Sequence, residues 1–140
     1  MAHKVSTFLF YGVATYCIVV GSFNQTISSV EDLPWVAKAL SETDVTAFNP
    51  ILAVWAHWIG MFLIVAGVVL FALTPVIHTS RRLLFAGGVL SAGTVGAQCF
   101  SVLSLGAFGP VVGVLLVAAA CAVAAPITGL LGSKTTSDTL

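Results

Sequence analysis

Residues 50–77, PILAVWAHWIGMFLIVAGVVLFALTPVI, contain no Asp, Glu, Lys or Arg. As a helix this run measures roughly 42 Å, more than the roughly 30 Å hydrocarbon core of a bilayer. Backbone N–H and C=O groups have no water to bond in that core, so the run must satisfy them internally, as a helix does. Three further uncharged runs, at about 6–23, 83–105 and 111–131, are also long enough to span. Every charged residue lies outside the four runs. The pattern predicts an all-α integral membrane protein, a four-helix bundle with antiparallel neighbours.

Composition agrees. Of the 140 residues 59% are hydrophobic and 7% charged, with a mean hydropathy of +1.09. A soluble domain carries about 25% charged residues, so a globular enzyme with its own polar surface is excluded. The formal net charge is zero and no basic run could neutralise phosphates, which argues against a nucleic-acid partner. The four spans use most of the chain, which reads as a single transmembrane domain. Residues 1–23 have a basic start followed by an apolar stretch, like a signal peptide. The apolar stretch is long and the pattern before a cleavage point is poor, so the segment is expected to stay as the first span. Cys17, Cys99 and Cys121 all fall within spans, where they read as small buried hydrophobes and not as a disulfide framework.

The charges also give an orientation. Lys4, Arg81, Arg82 and Lys134 all flank the spans on one side, and the 24–49 connection on the other side carries Glu31, Asp32, Glu42, Asp44 and only Lys38. Cations near span ends favour the cytoplasmic side, so both termini are expected there. Within the connection, Ser29 precedes Asp32 by three residues as in a capping box, and Pro34 suits a first helical turn. Leu33, Val36 and Leu40 follow at helical spacing. This predicts a short interfacial helix at about 31–41, either capping the bundle or serving as a docking surface or lid. Trp55 and Trp58 read as interfacial anchors.

The polar residues inside the spans are the candidates for function. Span three carries Ser91, Thr94, Gln98 and Ser101 on one helix face. It also carries the small-residue row Gly88, Ala92 and Gly96, suited to close helix contacts. Both features predict that span three is the central helix. His57 is the one histidine in the interior of a span. Counted from the outer end of span two it lies roughly 10 Å deep, at the depth expected for Gln98 and for Tyr16. The stretch 117–120 of span four is small and leaves room at that depth. A polar layer of Tyr16, His57, Gln98 and Thr94 is thus expected, with Gly60 allowing a close approach. It has two readings. His57 is neutral and satisfied by its neighbours, or the layer binds a lipophilic cofactor. The latter would be a quinone by its carbonyl, or a haem or chlorophyll by the imidazole.

What is missing narrows the function. No span contains a carboxylate or a cation, which weighs against ion-coupled carriers. No HExxH, GxSxG, P-loop or EF-hand pattern occurs, and no catalytic residue or metal site is expected of this chain alone. The layout has four spans, a longer polar segment after the first, a basic turn after the second and a tight turn at about 106–110. In this it resembles the DoxX-like small membrane proteins. The resemblance implies the four-span fold and carries over no functional residue. The leading expectation is a non-catalytic membrane subunit within a larger complex or homo-oligomer, surrounded by lipid. The alternative is a binding protein for a lipophilic cofactor centred on His57. A third reading is a facilitator for a small neutral solute along the polar stripe of span three.

Overall fold

The computed structural model describes residues 1–33, 42–104 and 110–134. The expected interfacial helix beyond Leu33, the tight turn at 106–110 and most of the polar tail lie outside these residues. Four long helices account for most of what is described: α1 (Ala2–Asn24), α2 (Glu42–Leu73), α3 (Arg81–Ser104) and α4 (Pro110–Lys134). Each contains a stretch long and apolar enough to cross a membrane. The chain is a multi-pass, all-α membrane bundle. Its two termini lie at the same end, since Gly132 of α4 packs against Ala2 and His3 of α1.

Sequence chemistry sets the helix ends. Pro75 has no N–H to continue the α2 ladder, and the chain tightens there into a 3-10 turn over Thr74–Thr79. The Thr74 hydroxyl donates back to the Leu70 carbonyl at 2.7 Å. Ser80 has extended backbone angles, and its Oγ accepts from the Arg82 N–H at 3.1 Å, which caps the start of α3. Beyond α1, the Asp32 carboxylate accepts from the backbone N–H groups of Ser28 at 2.7 Å and Ser29 at 2.9 Å. The Ser29 bond is the backward half of the expected capping box. These two N–H donors, with the Ser28 hydroxyl, hold Asp32 below the usual carboxylate range. Only a 3-10 turn, Val30–Asp32, forms here among the described residues.

The central helix is α1, not the third span. It packs along α2 on one side and α4 on the other, and α3 packs mainly on α4. The buried residues of α1 are Ser6, Phe10, Val13, Ala14, Cys17 and Gly21, a single stripe at helical spacing. The α1–α2 seam is set by small residues. A Cβ on Gly60 would lie 2.7 Å from the Gly21 carbonyl oxygen, one on Gly21 2.7 Å from the Gly60 oxygen, and one on Gly67 2.8 Å from the Ala14 oxygen. Gly60 and Gly67 are seven residues apart, as are Ala14 and Gly21, so each pair recurs on one face after two turns.

On the α3–α4 side a proline is accommodated in the same manner. Pro126 lacks the N–H that would bond the Ala122 carbonyl. The Ser91 hydroxyl supplies a replacement donor, shared between Gly88 O at 3.1 Å and Ala122 O at 3.3 Å. Gly88, one turn away, gives the Pro126 ring room, since a Cβ there would lie 2.9 Å from Pro126 Cβ. Ser6 of α1 adds a buried bond to the Ala125 carbonyl at 2.6 Å.

Candidate functional site

The antiparallel α1–α2 seam fixes which residues share a level. Gly21 faces Gly60 and Ala14 faces Gly67, which places Tyr16 level with Val65 and Asn24 level with His57. His57 therefore stands roughly 12 Å above Tyr16, at eight residues and 1.5 Å per residue. It is an exposed side chain. Its Nδ1 pairs with the Ala53 carbonyl of its own helix, and its backbone carbonyl accepts from Gln25 Nε2 at 2.9 Å, just past the end of α1.

The structure thus corrects the expected layer. His57 does not join Tyr16 and Gln98. The expected depth takes Pro50 as the outer end of the span, but α2 is helical from Glu42, and its first turns stand beyond the end of α1. His57 sits at the outer boundary of the bundle with the exposed Trp55 and Trp58. A haem or chlorophyll held by His57 would lie on the outer face of α2, not inside the bundle. Gly60 admits α1, not a ligand.

The rest of the layer divides. The Tyr16 hydroxyl donates to Gln98 Oε1 at 3.1 Å, joining α1 to α3 across the half-buried interior. Thr94 is buried, 4% exposed, and its Oγ1 has no hydrogen-bond partner. Ser101 bonds back to Ala97 of its own helix. Tyr16 lies between two apolar clefts. One, of about 630 Å³, runs between α1 and α4 past Gly12, Gly113, Val117 and Ala118. The other, of about 290 Å³, reaches Gln98 and Val102 of α3. The chemistry available is a phenol and a primary amide at the head of a greasy groove. Such a pair can orient a hydrogen-bonding headgroup, and Cys121 lines the same α1–α4 cleft. Among the described residues no group of three or more His, Cys, Asp or Glu side chains could hold a metal ion.

The row Gly88, Ala92, Gly96 is only partly a bundle contact. Gly88 packs on Pro126, Ala92 is half-buried, and a Cβ on Gly96 would meet nothing within 4 Å. The reason is geometric. Each four-residue step turns about 40° on a 3.6-residue helix, so Gly96 has rotated away from α4. Sequence reasoning did not bring together His3, Thr7 and His78, which meet at the end that carries the termini. The one signal for them was that all three fall at the same side of the membrane. No protein family, curated protein or solved structure matches the chain.

Proposed function

We propose that this chain is a non-catalytic membrane subunit that packs through α3 against another membrane helix, in a complex or a homo-oligomer. The observation that carries this reading is the outward face of α3. Gly93 and Gly96 both lie there, exposed, and a Cβ added to either would meet nothing within 4 Å, whereas Gly87 and Gly88 of the same helix are packed tightly. Small residues let helix backbones approach closely, and this bundle leaves that capacity of α3 unused. The DoxX-like layout is compatible with a role of this kind. In mild detergent the wild-type chain is expected to run at a mass above one copy plus its detergent, and Gly96→Leu to reduce it to one copy without loss of folded protein. An unchanged mass distribution in Gly96→Leu would mean that this face meets only lipid.

The Tyr16–Gln98 pair beside the α1–α4 cleft supports a second reading, binding of a lipophilic ligand such as a quinone by its headgroup. The absorption spectrum and extracted lipid of the same gently purified sample separate the two, since a co-purifying ligand favours the second and a bare co-purifying subunit the first.

The orientation proposed is both termini cytoplasmic, on the strength of Lys4, Arg81, Arg82 and Lys134 at one end. Single cysteines replacing Thr43 and Ser80, in a background without the native thiols, are expected to differ toward an impermeant thiol reagent on intact cells. Thr43→Cys should label and Ser80→Cys should not. The reverse result overturns the orientation.

A further inference from the structure

At the end of the bundle that carries both termini, three elements close on two imidazoles. His3, in the first turn of α1, and His78, in the 3-10 turn after α2, pack ring to ring with centroids 4.8 Å apart and planes tilted by 58°. Thr7, one turn along from His3, sets the state of the pair. Its hydroxyl has a single proton and donates it to the His3 carbonyl at 2.8 Å. Toward His78 Nε2, 3.1 Å away, it can then only accept. His78 is thereby protonated on Nε2, with a bare lone pair on Nδ1. That Nδ1 and the Nδ1 of His3 are both buried without a hydrogen-bond partner. From α4, Gly132 closes over His3, since a Cβ there would lie 3.1 Å from His3 Nδ1 and 3.2 Å from Ala2 Cβ.

Among the described residues the surroundings supply cations and no counter-charge. Lys4 on α1 and Arg81 and Arg82 on α3 are exposed at this end, and α4 ends in Lys134. The turn contributes only His78. Glu31 and Asp32 lie beyond the far end of α1, Glu42 and Asp44 fall in the first turn of α2 at that same far end, and Asp138 lies outside the described residues. Among the described residues no group of three or more His, Cys, Asp or Glu side chains could hold a metal ion here. A proton is small enough to reach either Nδ1. The resulting imidazolium, however, has a buried donor without an acceptor, next to a second ring and a set of cations.

The geometry points to a pH-sensitive clamp, in which the His3–His78 contact, set by Thr7, holds the α2–α3 turn against the start of α1 and opens when His78 is protonated. The sign follows from the closed contact, which requires a neutral His78. Its contribution is present in full above the ordinary histidine range near ~6.5 and is lost as the pH falls below that range. Opening the clamp would loosen the connection that orients α3, the helix proposed above to meet a partner, although the clamp itself does not depend on that proposal.

The test is thermal unfolding of the full chain in mild detergent at pH 8 and pH 5. The wild type is compared with the double variant His3→Phe/His78→Phe, which keeps two packed rings that cannot be protonated. The melting temperature of the wild type is expected to fall more between the two pH values than that of the variant. His57 is present in both and cancels. Equal falls overturn the clamp. If the double variant does not fold, histidine-selective ¹⁵N NMR of the unaltered protein decides. The expected result is the Nε2–H tautomer of His78 at pH 8, and protonation at low pH accompanied by loss of the Thr7 bond. An Nδ1–H tautomer at pH 8, or an imidazolium at pH 5 with the ring contact intact, overturns it.

Discussion

Gly60→Leu is expected to remove most of the folded, monodisperse protein. A Cβ at this position meets the Gly21 carbonyl oxygen at 2.7 Å and Asn24 Cβ at 2.9 Å, and it collides with the Gln25 side-chain amide. The amide can swing away, but the Gly21 oxygen is backbone and cannot, so α1 and α2 must separate. Overpacking a soluble core usually costs about 1–3 kcal/mol. Here the contact is reciprocal, because Gly21 meets the Gly60 oxygen at the same distance. The longest seam of the bundle, on its central helix, is therefore lost as a unit, and the effect should lie at or above the top of that range. Against a total stability of about 5–15 kcal/mol this is a large fraction. Gly60→Ala should show a smaller loss of the same kind. Gly93→Leu, whose added atoms meet open space, should leave the fold intact. The measurement is yield and unfolding midpoint in a denaturing-detergent titration. A Gly60→Leu protein as stable as Gly93→Leu would show that the two backbones are not in contact.

Why the fold could be read and part of the site could not follows from what lipid does to sequence signals. The four spans were legible because charge is excluded from hydrocarbon, and each run free of charge marks the apolar stretch of one of α1 to α4. Tyr16 and Gln98, which bond to each other, could be placed at one depth because each lies about seven residues below the outer end of its uncharged run. For α2 this failed. Its helix begins at Glu42, well before the uncharged run, and Pro50 at the start of that run marks no structural boundary. The position of His57 is set instead by the glycine register with α1, which depends on two helices at once. The choice of central helix failed for a related reason. In water a helix buried on one face shows it by hydrophobic contrast, but in lipid both faces of α1 are apolar. Its buried stripe differs only in residue size, through Ser6, Ala14, Cys17 and Gly21. The polar stripe of α3 was the stronger signal and reported something else. Ser91 serves the carbonyl that Pro126 leaves free, and Gln98 serves Tyr16.

Phe10→Ala is expected to be the most damaging truncation of a side chain. Phe10 is the largest of the fully buried side chains, with 0% exposure. It lies where three elements meet, since a Cβ added to Gly87 of α3 would come within 3.5 Å of its ring and collides with Ile77 of the turn after α2. In soluble proteins Phe→Ala in a core costs about 3–5 kcal/mol, part from lost transfer energy and part from the cavity. Within a bilayer the transfer part shrinks, because lipid is as apolar as the core. The dispersion contacts of the ring and the cavity it leaves remain. The loss should then fall near the lower end, about 3 kcal/mol. Phe8 is the matched control. It is on the same helix, two residues away, and 75% exposed toward lipid, so Phe8→Ala removes the same atoms from a site where acyl chains can refill the space. Its effect should stay within about 0.5 kcal/mol. Unfolding midpoints of the two variants in the same detergent titration give the comparison directly. If Phe8→Ala and Phe10→Ala lose equal stability, the burial stripe of α1 is misplaced, and with it the assignment of α1 as the helix around which the bundle packs.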